Sequence, residues 1–435
     1  MIATLIIFGI VYLAIATEKL DKTAAALLGA AACIMFQLVP YEHALRAVDL
    51  NVVFLLVGMM IVINVMAPTG VFEWLAVTIA KKAKGNGVRI LVMFLGATAF
   101  LSAFLDNVTT VILVAPITVL VCEILEIKAA PILILEAIFS NIGGTATLVG
   151  DPPNVLIASK TGLSFMEFIK FLSPPVIIML LIGLPLVAVI FRKSFTVPEA
   201  NKARIMRARA DLAILDRPNL IKSLIVFGII LVAFFASHAM KIDPGIIALA
   251  GGLVMALVCK SDMHHLLEKV EWSSVFFFIG LFMLIGAMEY NGAFEKLGHA
   301  ITEVTQGNFM MTVMVILWAS AIASSIVDNI PLVIAMIPLI NIIAPSFAPG
   351  MGIDPNNAEA MMVHIREPLL WALALGACLG GNGTLVGASA NVVVVQFARR
   401  NGYNITFGAF TRLGLPIMLG TLVVATGWLY FAYFM

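Results

Sequence analysis

The sequence predicts an all-α polytopic membrane protein built as an inverted repeat, with about ten transmembrane helices, two re-entrant hairpins and two discontinuous helices. Three observations lead to this prediction: the composition, the spacing of the apolar runs and a repeat between the two halves. Of the 435 residues, 62% are hydrophobic and only 12% are charged. A soluble fold of this length cannot bury so much apolar surface, so the chain is expected to cross a lipid bilayer many times.

Composition also narrows the functional classes. The net charge of +1 and the lack of a long basic or acidic tail give no indication of nucleic-acid binding. The four cysteines stand singly in apolar segments, so neither a disulfide framework nor a metal centre is predicted. The first apolar run lacks a basic leading segment and a small-residue cleavage site, which predicts a retained transmembrane helix rather than a signal peptide.

Ten apolar runs have the length of single crossings. They lie near residues 1–16, 23–40, 50–67, 130–150, 172–191, 221–239, 244–260, 273–290, 367–397 and 411–434. Two further runs, 88–122 and 309–344, are too long for one span and are interrupted by polar residues. Each is therefore either two crossings or a hairpin that enters and leaves on one side.

Basic residues indicate the orientation. The segment 192–222 carries eight Lys or Arg residues and is predicted to be a cytoplasmic linker. Tracing the crossings outward from it places both termini outside and predicts a multi-pass protein of the cell inner (cytoplasmic) membrane. Hairpins and double crossings would leave the loops on the same sides, so charge alone does not choose between them.

A repeat favours the hairpins. Residues 53–116 align with 275–338 at a constant offset of 222, with 21 of 64 positions identical. A second block at offset 237 matches GGTATLVGDPPNV from Gly143 with GGNGTLVGASANV from Gly380. Five crossings in each half invert the second copy relative to the first. Inverted repeats with interrupted helices are typical of secondary transporters whose site lies at the repeat interface near mid-membrane.

The predicted organisation follows from these blocks. Residues 1–191 form the first repeat and residues 223–435 the second, on either side of the linker. The first contains the hairpin 88–122 and a broken helix at 130–160, and the second contains the hairpin 309–344 and a broken helix at 367–397.

The four breaks contain the polar residues expected at a transport site. Broken helices free backbone carbonyls, and the neighbouring side-chain oxygens suit hard cations such as sodium, whereas only carboxylates suit protons. Asn and Thr that join helices, and Gly that permits close packing, are the structural alternative. The predicted substrate- and ion-binding residues are Asp106, Asn107, Thr109, Thr145, Thr147, Gly150, Asp151, Asn154, Asp328, Asn329, Asn382, Thr384, Ser389 and Asn391.

Asp151 and two weaker candidates, Glu136 and Cys378, allow two interpretations each. Asp151 has no acidic counterpart in the second copy, so it is either a proton or cation carrier or a cap on the helix that resumes at Pro152. Glu136 is a weaker proton-relay candidate or a structural hydrogen-bonding group. Cys378 is either a soft ligand for arsenite or a small buried packing residue.

Four motifs resemble a known superfamily. They are FLDNVTT (104–110), NIGGTATLVGDPPNVLIAS (141–159), VDNIPL (327–332) and LALGACLGGNGTLVGASANVV (373–393). The chain resembles the ion transporter superfamily, in particular its ArsB/NhaD permease branch, which includes relatives of the pink-eyed dilution protein and prokaryotic arsenic permeases. The resemblance implies that hairpins and broken helices form a transport domain that moves against the scaffold of a homodimer.

The resemblance also directs attention to the hairpin tips. Asn107 and Asn329 match tip positions that read Ser-Asn-Thr in the related dicarboxylate/sodium symporters, and sodium is expected at these two tips. Asp106 and Asp328 replace the serine in this chain. Two added carboxylates argue against a dianionic substrate at the tips and favour coupling to sodium or protons, or a neutral substrate.

Three transport functions follow. The first is efflux of arsenite or antimonite coupled to proton exchange, which would confer arsenical resistance. The others are sodium/proton antiport of the NhaD kind and anion transport. The substrate is therefore expected to be a small inorganic ion, and no cofactor beyond a coupling sodium ion or proton is expected. The sequence shows no nucleophile–base pair, so it is not expected to be an enzyme, and without an ATP-binding motif any primary drive would need a partner ATPase.

Overall fold

Helices are the regular secondary structure of the described part of the chain. The computed structural model describes residues 2–17, 20–193, 195, 197–207, 209–294 and 307–435, and these residues contain no β-strand. Nine helices in this part of the chain are long and apolar enough to cross a membrane, and five further apolar helices are shorter. The predicted all-α polytopic membrane fold is confirmed. The segment 295–306, which belongs to the second copy of the repeat, lies outside the described residues.

The helices of the first half and the linker are α1 Ile2–Thr17, α2 Lys22–Met35, α3 Tyr41–Arg46, α4 Leu50–Met66, α5 Val71–Lys82, α6 Gly87–Ser102, α7 Asn107–Leu125, α8 Ala129–Gly144, α9 Pro152–Thr161, α10 Phe165–Phe191 and α11 Glu199–Arg207. Those of the second half are α12 Arg217–Met240, α13 Pro244–Val258, α14 Met263–Glu268, α15 Trp272–Tyr290, α16 Phe309–Ile326, α17 Asn329–Ile343, α18 Ala358–Met361, α19 Glu367–Gly380, α20 Ser389–Arg400 and α21 Phe407–Phe434.

Helices of the two halves begin at equivalent residues. The pairs α2 and α13, α3 and α14, and α7 and α17 each start 222 residues apart, while α9 and α20 start 237 residues apart. The caps repeat as well: the Asn86 and Asn308 side chains accept hydrogen bonds from the backbone N–H of Arg89 and Met311. Because caps determine where helices start, the repeat extends beyond the aligned block, back to α2.

The helices pack as two groups. The framework group consists of α1–α4 and α12–α15, and its central contacts are exchanged between the halves: α2 packs on α15, and α13 packs on α4. The close approach requires glycine at Gly58, where a Cβ atom would lie 2.4 Å from the backbone carbon of Ala248. The hairpin group consists of α6–α10, α16, α17 and α19–α21.

Each broken helix packs against the first helix of a hairpin. The first hairpin consists of α6 and α7, and the second consists of α16 and α17. A Cβ atom on Gly143 would lie 2.1 Å from the carbonyl oxygen of Ala99, and one on Gly380 would lie 2.4 Å from that of Ala321. Beyond these contacts α8 ends at Gly144 and α19 ends at Gly380, and the chain resumes as α9 and α20. Helix–hairpin packing of this closeness places the two breaks beside the two hairpin tips.

Candidate functional site

The two hairpin tips meet at the carboxylate of Asp151. The Nδ2 atom of Asn107, at the first tip, donates to Asp151 Oδ1 at 3.2 Å. The Nδ2 atom of Asn329, at the second tip, donates to the same oxygen at 3.3 Å. Asp151 is fully buried. One carboxylate oxygen therefore joins both tips to the break between α8 and α9.

Asp151 stands at the N-cap position of α9 but does not cap it with its side chain. Pro152 and Pro153 occupy the first two helical positions and have no backbone N–H to offer. Among the described residues, Asp151 Oδ2 and Asn107 Oδ1 are buried without a hydrogen-bond partner. An ionised carboxylate in this setting is costly unless a cation or proton compensates it, and the two free oxygens have the chemistry that sodium prefers.

Asn141 links the site to the second break. Its Oδ1 accepts from Asn107 Nδ2 at 3.0 Å. Its own Nδ2 lies 3.0 Å from Asn382 Oδ1 and 3.1 Å from Asn391 Oδ1. Asn141 was not among the residues predicted from the sequence. It could have been recognised as an amide one turn before the break, at the position equivalent to Cys378 in the second copy.

Several predicted residues use their polar groups to bond backbone carbonyls of the breaks and of the hairpins. The hydroxyls of Thr145, Thr147 and Thr384 donate to the backbone carbonyls of Asn141, Ala103 and Ser325. The side-chain amides of Asn154 and Asn391 each donate to two carbonyls within their own break. These groups hold the non-helical backbone in place, as buried polar groups must be satisfied.

Gly150, Cys378 and Glu136 have different surroundings. A Cβ atom on Gly150 would lie 2.5 Å from the carbonyl oxygen of Ser102, so glycine is needed where the break contacts the hairpin. Cys378 Sγ lies 3.7 Å from Asn154 Oδ1, at the edge of the amide network. Glu136 is buried outside the central cavity, where its Oε1 accepts from Thr118 Oγ1 at 2.5 Å.

A small cavity lies at the centre of these residues. Its volume is about 30 Å³, which is enough for at least one water molecule. Within the described part of the chain no cluster of three or more His, Cys, Asp or Glu side chains forms a metal site, so a sodium ion here would rely on single carboxylate and amide oxygens. The polar residues lining the cavity are Lys22, Asp106, Asn107, Asp151, Glu271, Ser274, Asn329 and Ser389.

The central cavity adjoins a wider vestibule. A neighbouring cavity of about 310 Å³ shares Lys22, Glu271 and Ser389 with it, among other lining residues. The repeat-related cavity on the opposite side, about 380 Å³ and lined by Asn51 and Asp243, shares no lining residue with the central one. The central cavity therefore adjoins the vestibule at the start of α2, beside Asp21 and Lys22.

The two tip aspartates have different electrostatic surroundings. Asp106 and Asp328 both cap the helix that follows them. Asp328 Oδ2 accepts from Ser389 Oγ at 2.7 Å and lies 3.6 Å from Lys22 Nζ. Asp106 accepts from the backbone and hydroxyl of Thr109 and forms no ion pair with a described residue. Sequence reasoning missed Lys22, whose counterpart in the other half is a proline.

Comparison with known proteins identifies the family. Residues 12–365 match a family model described as "Citrate transporter" (CitMHS). The chain is 39% identical over 431 residues to a 46 kDa membrane protein of Mycobacterium leprae (strain TN), covering 98% of this chain and 97% of that protein. It is 41% identical over 435 residues to an uncharacterised transporter of Mycobacterium tuberculosis (strain ATCC 25618 / H37Rv), with the same coverages.

More distant similarities agree with this result. The P protein of Homo sapiens is 31% identical over 515 residues, which cover 99% of this chain and 60% of the P protein. The crystal structure of the YdaH transporter of Alcanivorax borkumensis shares the fold, with a TM-score of 0.58 at 14% identity, covering 92% of this chain and 89% of that one. The predicted superfamily resemblance is confirmed. The chain belongs to the CitMHS family of the ion transporter superfamily and is a multi-pass membrane transporter.

Proposed function

We propose that the protein is a secondary active cation/proton antiporter in which Asp151 binds sodium and protons alternately. One observation carries this proposal: a fully buried carboxylate with a free oxygen receives amides from both hairpin tips. Asparagine amides orient the carboxylate without neutralising it. A cation or proton arriving through the vestibule would therefore gain the full attraction of the buried charge.

Asp106 supplies a second negative charge at the same cavity. It lines the cavity with Asp151 and has no ion-pair partner among the described residues. Two unpaired carboxylates disfavour a free anionic substrate, including the citrate named in the family description, because like charges in a partly desolvated site repel strongly. A small cation, by contrast, fits both the charge and the 30 Å³ volume.

Arsenite or antimonite efflux coupled to proton exchange is the second candidate. It is favoured by the position of Cys378, whose sulfur lies 3.7 Å from Asn154 Oδ1 within the amide network. A neutral trihydroxide would hydrogen-bond to the surrounding amides, and a thiol is a soft ligand for arsenic. We rank this function second because Cys378 is the one thiol in this amide network and because the central cavity is small. The inner-membrane location and outward-facing termini are proposed from the distribution of basic residues.

The test uses proteoliposomes containing a pH-sensitive dye, to which sodium, arsenite, antimonite and citrate are added in turn. Proton movement in response to sodium alone is expected. Arsenite or antimonite flux without a sodium response would refute the antiporter and support the second candidate. Citrate uptake that proceeds without any sodium-driven proton movement would refute both.

The variants Asp106→Asn and Asp328→Asn are expected to abolish coupled transport. Asparagine caps a helix about as well as aspartate, so the hairpins are expected to fold normally. Asp106→Asn removes a cation-binding charge, whereas Asp328→Asn leaves the Lys22 ammonium unpaired beside the cavity. Sodium-driven proton flux is the measurement.

Asp49→Asn is the matched control for both variants. Asp49 also caps its helix, α4, and lies 3.7 Å from a lysine, Lys160, but it does not line the central cavity. It is expected to retain wild-type flux. Normal flux in Asp106→Asn and Asp328→Asn would mean that the tip aspartates have only a structural role.

A further inference from the structure

Lys22 lies between the vestibule and the central cavity and lines both. Its Nζ donates to Ser389 Oγ at 2.8 Å and lies 3.6 Å from Asp328 Oδ2, while Ser389 donates to the same carboxylate oxygen. The ammonium also lies 5.1 Å from the centre of the Phe277 ring. Its side chain is 34% exposed and that of Asp328 is 9% exposed, so the pair is only partly screened by solvent.

This arrangement breaks the symmetry of the repeat. The tip aspartates Asp106 and Asp328 are equivalent, but the position equivalent to Lys22 is Pro244 and the position equivalent to Ser389 is Pro152. Proline supplies neither a charge nor a side-chain hydroxyl. The central cavity is lined by Asp106, Asp151, Glu271 and the Lys22 ammonium, whereas Asp328 lines the vestibule. Of the three aspartates Asp106, Asp151 and Asp328, only Asp328 lies within ion-pair distance of that ammonium.

We propose that Lys22 is a built-in counter-ion that withholds Asp328 from cation binding and thereby sets how many cations the carrier exchanges per cycle. This inference rests on the proposed cation/proton antiport. With Lys22 in place, Asp328 is already neutralised, so Asp106 and Asp151 are the two aspartates left to bind the transported ions. Glu271 lines both cavities, and Asp21 lines the vestibule together with Asp328.

The contact also joins the two groups of helices. Lys22 begins α2 of the framework group, whereas Asp328 and Ser389 belong to the hairpin group. The Lys22–Asp328 ion pair can set the number of cations bound per cycle only if the Lys22 ammonium stays beside Asp328. The counter-ion role thus predicts that deleting both charges together is tolerated, because the remaining acids are unchanged.

The experiment measures the sodium-to-proton ratio in proteoliposomes from the sodium gradient that balances an imposed pH gradient. In Lys22→Met, the freed Asp328 is expected to add about one cation per cycle to the ratio. Lys22→Arg is expected to retain the wild-type ratio. The double variant Lys22→Met/Asp328→Asn is expected to recover the flux that Asp328→Asn loses, at the wild-type ratio.

Lys160→Met is the matched control. Lys160 Nζ lies 3.7 Å from Asp49 Oδ2 and 5.7 Å from the centre of the Phe282 ring, which is the same kind of environment outside the central cavity. Its ratio is expected to equal that of the wild type. An unchanged ratio in Lys22→Met, or a double variant as inactive as Asp328→Asn, would refute the role of Lys22. Absence of sodium and proton flux in the wild type would instead refute the proposed function.

Discussion

Replacing Asp151 with asparagine is expected to abolish sodium-driven proton flux while leaving the fold intact. The asparagine Oδ1 still accepts from Asn107 and Asn329, so both hairpin tips keep their contact with the break. Removing a buried charge also lowers the cost of membrane insertion. Truncating one partner of a buried charge pair at a binding site costs about 2–5 kcal/mol of binding free energy, so the cation affinity is expected to fall about 30-fold or more.

The measurement combines flux in proteoliposomes with the thermal unfolding midpoint in detergent. Asp243→Asn is the control, since Asp243 also precedes a proline at a helix start and makes no side-chain capping bond, but lies outside the central cavity. Unfolding midpoints equal to the wild type are expected for both variants. Wild-type flux in Asp151→Asn would show that the carboxylate is not the cation-binding group.

Gly143→Ala and Gly380→Ala are expected to destabilise the protein most strongly through packing. The added Cβ would lie 2.1 Å from a backbone carbonyl oxygen of the adjacent hairpin helix at Gly143 and 2.4 Å from one at Gly380. Unlike a flexible side chain, the backbone cannot change rotamer to relieve such a contact. Overpacking of this kind costs about 1–3 kcal/mol or more. The hairpin tips would also move away from the breaks, so flux is expected to fall with stability.

Gly228→Ala and Gly427→Ala serve as controls, because no atom beyond the neighbouring residues and the helix's own backbone lies within 4 Å of a Cβ at either position. Alanine favours a helix over glycine by about 1 kcal/mol, so these variants are expected to be as stable as the wild type or more so. Thermal unfolding midpoints decide the comparison. Equal midpoints for Gly143→Ala and the controls would contradict the proposed contact between broken helix and hairpin.

The repeat made much of the fold predictable. Apolar runs gave the spans, and the recurrence of Asp106-Asn107 as Asp328-Asn329 indicated two related interruptions. The same recurrence concealed a difference, because only Asp328 lies beside a lysine. Alignment of the two copies compares residues at equivalent positions in the sequence. The charge around each tip aspartate depends instead on helices that are distant in the sequence, such as α2 with Lys22.

The remaining features depend on contacts that leave no local spacing in the sequence. Lys22 contacts Ser389 across 367 residues, and Asn141 contacts Asn382 across 241. Side-chain direction was equally unreadable: Thr147 and Thr384 look like oxygen ligands in the sequence, yet their hydroxyls bond to hairpin carbonyls. A pattern of polar residues locates a break but does not say which oxygens face the cavity.

The exchanged packing of the framework helices has a consequence for biosynthesis. The side chain of Asn51, at the start of α4, accepts a hydrogen bond from the backbone N–H of Gly245, 194 residues later in the chain. α2 likewise packs on α15, which is made long after it. Early helices therefore enter the bilayer before the ribosome has produced their partners, and contacts so distant in sequence form slowly. The framework can therefore be completed only after α15 has been made, and the nascent first half must persist in lipid until then.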